Sequence, residues 1–492
     1  TVDKASVASN ELNLFYNEFG KNQKFYLSTR FKGPLNNFVL HDLRLLDAAQ
    51  NEISGTVNFR HLFDRQGPGF YMNGNFDRIA SDYTHLVAIM PRILGKSVPK
   101  LVEKFGRMDI VGKVELTKKD IATEIYLMSE LGEAEANLSV KGFNKPDEAT
   151  YTGTIDLDNF NVGAVAEVKT LGNATLHLEA DGKGFRKESL NTLVKGDIKS
   201  LAFNGYRYSN ISIDGNLKWP YYKGYINSND PNLMMDFDGL IDMGKQHLNY
   251  DFHARVDYAD LVRLRLVKKD TISVFKGDLA LSATGNNLNN LAGTLQVKSL
   301  SYQNGRNSYY FEDFAVTSSF DRDRVRTITI DSKDLIEGRV SGIYDTKQLP
   351  KLIENALGSL YTNYRPHKVK PGQFLDFDLT IYNKLVEIVA PNVVVGANTT
   401  LRGHINAERG EFSLAFNSPN ISILDNYFNG ISIDVNNKNP LYNAYISMDS
   451  IRVKNYRVTD FNLMNVTHND TLYLRSEFKG GREGKDFYNL NL

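Results

Sequence analysis

The chain has 492 residues, with 58 Lys+Arg against 58 Asp+Glu, so it lacks the basic excess of a nucleic-acid binder. Its 26 tyrosines, 28 phenylalanines and many β-branched residues exclude a disordered chain. It has no cysteine, which removes disulfides, thiolate metal sites, iron–sulfur clusters and cysteine nucleophiles together.

Length alone suggests roughly three domains of about 150 residues. No stretch reaches the ~18 apolar residues of a membrane-crossing helix. The chain opens on Thr1 without a visible signal peptide, and the expectation is an interior piece of a longer protein.

In chain order, the dominant pattern is alternation with a period of two. Phe25/Leu27, Val57/Phe59, Leu138/Val140, Ile155/Leu157 and Leu176/Leu178/Ala180 alternate with polar neighbours. The pattern continues in Phe252/Ala254/Val256, Ile328/Ile330, Leu375/Phe377/Leu379/Ile381, Phe412/Leu414/Phe416 and Leu472/Leu474. Asp181-Gly182, Asn204-Gly205, Asp214-Gly215, Asn304-Gly305 and Asn429-Gly430 read as hairpin turns between such strands. One dry face and one wet face is the habit of antiparallel sheets.

Helical signals are few. Asp82 to Phe105 carries Leu86, Ile89 and Met90, then Pro91 and Pro99, and reads as two short helices broken by proline. Lys347 to Leu357 places Leu349, Leu352, Ile353, Ala356 and Leu357 on one helical stripe, with Gly358 as a stop. Ala259 to Val267 fits a short helix or a strand. These seams divide the chain into β segments 1–80, 106–346 and 373–492. Between them lie a helical interruption at 81–105 and a helix with linker at 347–372. A weak repeat joins Asn210–Asn216 to Gly430–Asn436. Its register holds through Pro220, Tyr222, Tyr225 and Ile226 against Pro440, Tyr442, Tyr445 and Ile446, at an offset of 220. Repetition of this kind argues for an elongated object.

Catalytic chemistry finds no support. None of the nine histidines sits in a metal-ligand spacing, and His177 and His253 fall on polar faces of their strands. No nucleophile elbow or phosphate loop is present. Asp321-Arg322-Asp323 reads as a charged hairpin turn. Neither a cofactor, a metal nor enzymatic activity is therefore expected. The apolar faces either meet another sheet and close a core, or line an open trough. An open trough suits acyl chains, which gain about 0.8 kcal/mol per buried CH₂ while head groups stay in water.

The stretch from Asn159 to Gly215, with "F-x-x-G", "LG", "x-G-x-G" and "FNGYRYSNISIDG", resembles the TamB family of the AsmA-like superfamily. Phe237 to Leu261, "FDGLIDMGKQHLNYDFHARVDYADL", continues the likeness. The resemblance implies an all-β fold: an elongated antiparallel repeating sheet curled into a U-shaped hydrophobic groove (a β-taco), with a few short helices. It implies an inner-membrane-anchored protein that crosses the periplasm of diderm bacteria. It also implies movement of phospholipids to the outer membrane and a TamA- or BamA-type outer-membrane barrel partner. The family's anchor and C-terminal domain are not recognisable here, so a central portion is expected. Roughly 35–40 strands at about 4.8 Å would stack over about 170–190 Å.

The candidate groove-lining residues are Leu176, Leu178, Ile211, Ile213, Phe252, Val256, Ile328, Ile330, Leu375, Phe377, Leu379, Phe412, Leu414, Ile431 and Ile433. Each equally fits an ordinary sheet core. The helix at 347–357 either plugs the trough or packs over an edge. Two other functions fit the same pattern. One is a scaffold for outer-membrane protein assembly through β-augmentation; the other is a β-rich surface adhesin with Tyr- and Asn-rich wet faces.

Overall fold

The computed structural model describes residues 1–492 apart from 15–18, 63–68, 90, 92–97, 99, 245–247, 268–271, 306, 361–363, 440, 469–470 and 482–483. The expected helix residues Met90 and Pro99, the repeat residue Pro440 and His247 lie outside the described residues.

Alternation dictates the outcome. The fold is all-β: thirty strands of one antiparallel sheet that does not close, with a few short helices. Contacts divide the chain into two units. One comprises Thr1–Gly244 and Arg263–Lys268; the other comprises Lys245–Val262 and Lys269–Leu492.

In the first unit, strands run from Val2–Ala8 to Leu233–Asp242, and each pairs with the next in sequence. The helix Tyr83–Ile89 and the 3-10 helix Lys100–Phe105 interrupt the meander. Two more, Ser9–Leu12 and Val162–Ala166, were not expected; the second is capped where the Ala164 N–H donates to Asn161 Oδ1 at 3.0 Å. The core gathers at Leu43, Val57 and Phe76, with Leu27, Leu45, Ile53 and Ile79 packed against them.

In the second unit, strands run from Asn249–Asp260 to Asp486–Asn491, again mostly nearest neighbours. The exceptions are Ala292–Asn304, which pairs with Phe314–Phe320 as well as with Asn307–Tyr310, and Phe374–Ile381, which pairs with Thr399–Asn406 and leaves Val393–Val395 to pair with Glu411–Ile423. Asp260 ends the first of these strands, so Ala259–Val267 is a strand end followed by turns rather than a helix. The core gathers under the helix Leu349–Gly358, where Leu352 and Ala356 meet Leu375, Ile405, Phe412 and Val435.

Three expected turns are not turns. Gly182 lies within Leu171–Lys183, Gly215 within Tyr206–Lys218 and Gly430 within Asn426–Asn436. Glycine within these strands answers to close approach at Gly182 and Gly215, and to a left-handed backbone, with φ of +57°, at Gly430. Gly215 faces Gly224, and a Cβ on it would sit 2.8 Å from the Lys223 carbonyl and the Tyr222 hydroxyl. Counting such glycines as turns inflates the strand number, which is thirty among the described residues rather than 35–40. Asn204-Gly205 is a true turn, with φ of 48° and 79° as a two-residue hairpin needs. Asp321 also behaves as expected, its carboxylate accepting from the N–H groups of Asp323 and Val325 at 2.9 Å each.

Gly196 shows why the sheet needs glycine inside strands. Its φ is +155°, and a Cβ would meet the His177 carbonyl oxygen at 2.0 Å. Gly196→Ala is expected to destabilise the protein by more than about 1 kcal/mol. A lower urea midpoint with an unchanged slope would register it; an unchanged midpoint would refute the close-approach account.

Candidate functional site

The backbone ladder lines up the apolar residues of successive strands. In the first unit, directly paired residues form one uninterrupted apolar row. It runs Ala5, Leu27, Leu45, Ile53, Ile79, Ile110, Leu127, Ala134, Leu157, Leu176, Ile198 and Ile211. A second row two residues along the strands runs Ile155, Leu178, Gly196, Ile213, Ile226 and Phe237.

The second unit repeats the arrangement. Its row runs Phe252, Leu281, Leu295, Val316, Ile330, Gly338, Leu379, Leu401, Phe416, Ile433, Ile446 and Leu463. Beside it lie Ile328, Val340, Phe377, Gly403, Leu414 and Val435. The Phe377 ring lies where a Gly403 side chain would be, since a Cβ there would stand 2.4 Å from it.

All fifteen candidate residues therefore lie on apolar faces. Leu176, Leu178, Ile211 and Ile213 belong to the first unit, and the other eleven to the second. Only Val256, Leu375, Phe412 and Ile431 are buried; the remaining eleven are half-buried. The repeat falls on equivalent places, with Ile213 opposite Ile226 and Ile433 opposite Ile446.

Half-burial is the rule because much of each face has no second layer. The chain exposes 29480 Å² for 55.5 kDa. Two separate compact chains of half that mass would together expose about 22,000 Å².

The opposite faces are wet and charged. His177 Nδ1 lies 2.7 Å from Asp156, Arg402 Nε donates to Asp378 at 2.8 Å, and Arg78 Nη2 donates to Asp109 at 2.6 Å. His253 Nε2 lies 2.7 Å from Asp278, so both of the histidines assigned to polar faces sit beside carboxylates on the wet side. Such pairs are worth about 0–1 kcal/mol each, so they mark the solvated side rather than hold the fold. On the apolar side, burial pushes the Tyr222 phenol up to about 12. Among the described residues no group of three or more His, Asp or Glu is placed to hold a metal ion. Nor is any helix among them long and apolar enough to cross a membrane.

The helix Leu349–Gly358 sits on the apolar face of its unit, not over a strand edge. It starts at Leu349 rather than Lys347, with Pro350 in its first turn, and Gly358 is its last residue rather than its stop. Its neighbours Leu375, Ile405 and Phe412 are themselves a cross-strand row. Its start is moored by polar groups. Asp345 accepts from Lys370 Nζ at 2.7 Å, from the Lys347 N–H at 3.1 Å and from Asn289 Nδ2 at 3.2 Å. The Thr346 N–H and hydroxyl both donate to Asn289 Oδ1 at 2.7 Å.

Beside this mooring, and unforeseen, stands Arg326. It shares the face of Ile328 and Ile330, and its phase in "RTITI" was a readable signal. Only 7% exposed, its guanidinium donates to Ser318 Oγ at 2.9 Å, to the Leu291 carbonyl at 3.1 Å and to the Leu288 carbonyl.

Compared with family models, with curated proteins and with solved structures, the chain matches none.

The bond from Lys370, then those from Lys347 and Asn289, hold the Asp345 carboxyl below the ordinary carboxylate range. A depressed carboxyl adds stability that is present above its unfolded value, near pH 4, and is lost as pH falls through the folded value. The melting temperature of Asp345→Asn should therefore trail the parent most above about pH 4, and the gap should close in stronger acid. A gap that stays constant from neutral pH to pH ~2 would remove the ion pair from the account.

Proposed function

We propose that this protein is a lipid conduit, in which acyl chains lie against the apolar faces and phospholipids move along them without catalysis. The observation that carries the reading is the register: a row of apolar side chains crosses strand after strand in each unit, half-buried and backed by a charged face. A tail laid along such a row finds similar chemistry at each step of about 4.8 Å. Each buried CH₂ contributes about 0.8 kcal/mol, and no reacting group is required.

The likeness of residues 159–215 to the TamB family supplies the setting. In that setting the chain is part of a bridge crossing the periplasm from an inner-membrane anchor toward the outer membrane. It would carry phospholipids outward and work with a TamA- or BamA-type barrel.

Leu379→Asp separates folding from transport. Leu379 is half-buried between Gly338 and Leu401, so the charge can reach water, and cooperative unfolding should survive. Lipid binding by the second unit should be lost. Photoreactive residues at Leu176 or Leu401 are expected to capture phospholipid, and those at His177 or Arg402 are not. Capture of nascent barrel proteins at strand edges, with no lipid at Leu176 or Leu401, would overturn the conduit in favour of a scaffold for outer-membrane protein assembly by β-augmentation.

A further inference from the structure

The helix Leu349–Gly358 occupies the very surface that the proposed function assigns to acyl chains. Leu352 is 1% exposed and Ala356 6%, both against Leu375, Ile405, Phe412 and Val435. These are residues of the same kind, at the same period, as those left half-open elsewhere on the face. The helix thus places aliphatic side chains where lipid tails would lie.

Two features set it apart from a permanent core element. First, its exposed surface carries apolar groups beside the polar Lys351 and Glu354: Ile353 and Leu357, one turn apart, are each 44% exposed. Second, its polar bonds to the sheet and its turns lie at its ends, while at its middle Asn355 bonds the segment that follows, donating from Nδ2 to the His367 carbonyl and accepting from the Tyr364 hydroxyl and the His367 N–H. At the start are the bonds of Asp345, Thr346 and Asn289, and Gln373 Nε2 donates to Gln348 Oε1 at 3.0 Å. At the end, Asn437 Nδ2 donates to Ser359 Oγ at 3.0 Å, and the Thr467 hydroxyl donates to the Leu360 carbonyl at 3.3 Å. Against the sheet, the grip between the ends is aliphatic contact, which a hydrocarbon chain can replace in kind.

We propose that this helix is a built-in stopper: it competes with lipid tails for the apolar face of the second unit, and a phospholipid enters there only by displacing Leu352 and Ala356. The inference rests on the conduit reading and adds regulation to it. A tail that binds the uncovered face and not the covered one shifts the helix outward by its differential affinity alone.

The cysteine-free chain makes the test clean. Ser359→Cys with Asn437→Cys replaces a pair already in contact, so oxidation ties the helix end down and reduction frees it. The full chain, oxidised or reduced, is illuminated with vesicles of phosphatidylethanolamine and phosphatidylglycerol carrying diazirine-tailed lipid, and adducts are mapped. Adducts at Phe412 and Leu414 should fall about tenfold on oxidation and return on reduction, with those at Leu176 and Leu178 unchanged. Leu352→Ala, which loosens the helix without a tether, should raise the adducts at Phe412 and Leu414. Equal labelling of Phe412 and Leu414 in both redox states would overturn the stopper and leave the conduit standing. So would labelling of Leu176 with none at Phe412 even in Leu352→Ala, because the helix then never yields. No adduct in either unit would end both proposals.

Discussion

Everything in this structure depends on cross-strand contact between apolar side chains held in register by an antiparallel ladder. Side chains alternate faces with a period of two, so a slip of one residue would carry a whole strand's apolar set to the wet side. At the strand Phe374–Ile381, such a slip would turn Asp376 and Asp378 onto the face that now carries Leu401 and Leu414. It would also part Asp378 from Arg402 and Asp376 from His404. Each ion pair is weak in water, but ionised groups forced into an apolar row would be very costly. The charged face therefore acts against wrong registers more than it adds to the right one. The same constraint makes a row continuous: once each pair is fixed, the apolar line propagates from strand to strand without further design.

The helix Leu349–Gly358 shows what happens when that face is covered. Leu375 and Phe412 become buried, whereas Leu379 and Phe416, on the same strands, remain half-open. The covered patch is therefore a local core, and the difference lies in what is laid over it rather than in the sheet. Nearby, Arg326 ties down the turn around Leu288 and Leu291 through their carbonyls, and Asn289 of the same turn holds Thr346 and Asp345. One buried cation thus reaches the start of the helix through a chain of hydrogen bonds. A guanidinium can serve here because it is satisfied by carbonyls in several directions at once.

Much of this was legible in the sequence because period two is a local property. Leu375, Phe377 and Leu379 declare a shared face without any knowledge of their partners, and so do Ile328 and Ile330. The stripe through Leu349, Leu352 and Ala356 announced a helix, though not the surface beneath it, which comes from strands 17 to 86 residues away in the chain. Pairing was out of reach for the same reason: that Gly338 opposes both Ile330 and Leu379 follows from the ladder, not from neighbours in sequence. The Asp-Gly and Asn-Gly pairs misled in a consistent way. Turn chemistry, close backbone approach and a left-handed residue inside a strand all call for glycine; Gly182 and Gly215 serve the second need and Gly430 the third.

Uniformity of a row matters for what could move along it. A chain of hydrocarbon held by one deep pocket must lose most of its contacts before it finds the next site, so tight binding and fast movement oppose each other. A face in which Leu, Ile, Val and Phe recur at every strand lets new contacts form as old ones break, and the barrier is then set by the least uniform step. In the first unit the row from Ala5 to Ile211 has no such step before Ser228. In the second unit the main row is broken only at Gly338, whose missing side chain leaves flanking Ile330 and Leu379 to span the gap. The largest irregularity on that face is the covered patch under Leu352 and Ala356. On the conduit reading, control of lipid movement would belong there rather than at any residue of the sheet, since a change confined to one helix alters the barrier without disturbing the register that builds the row.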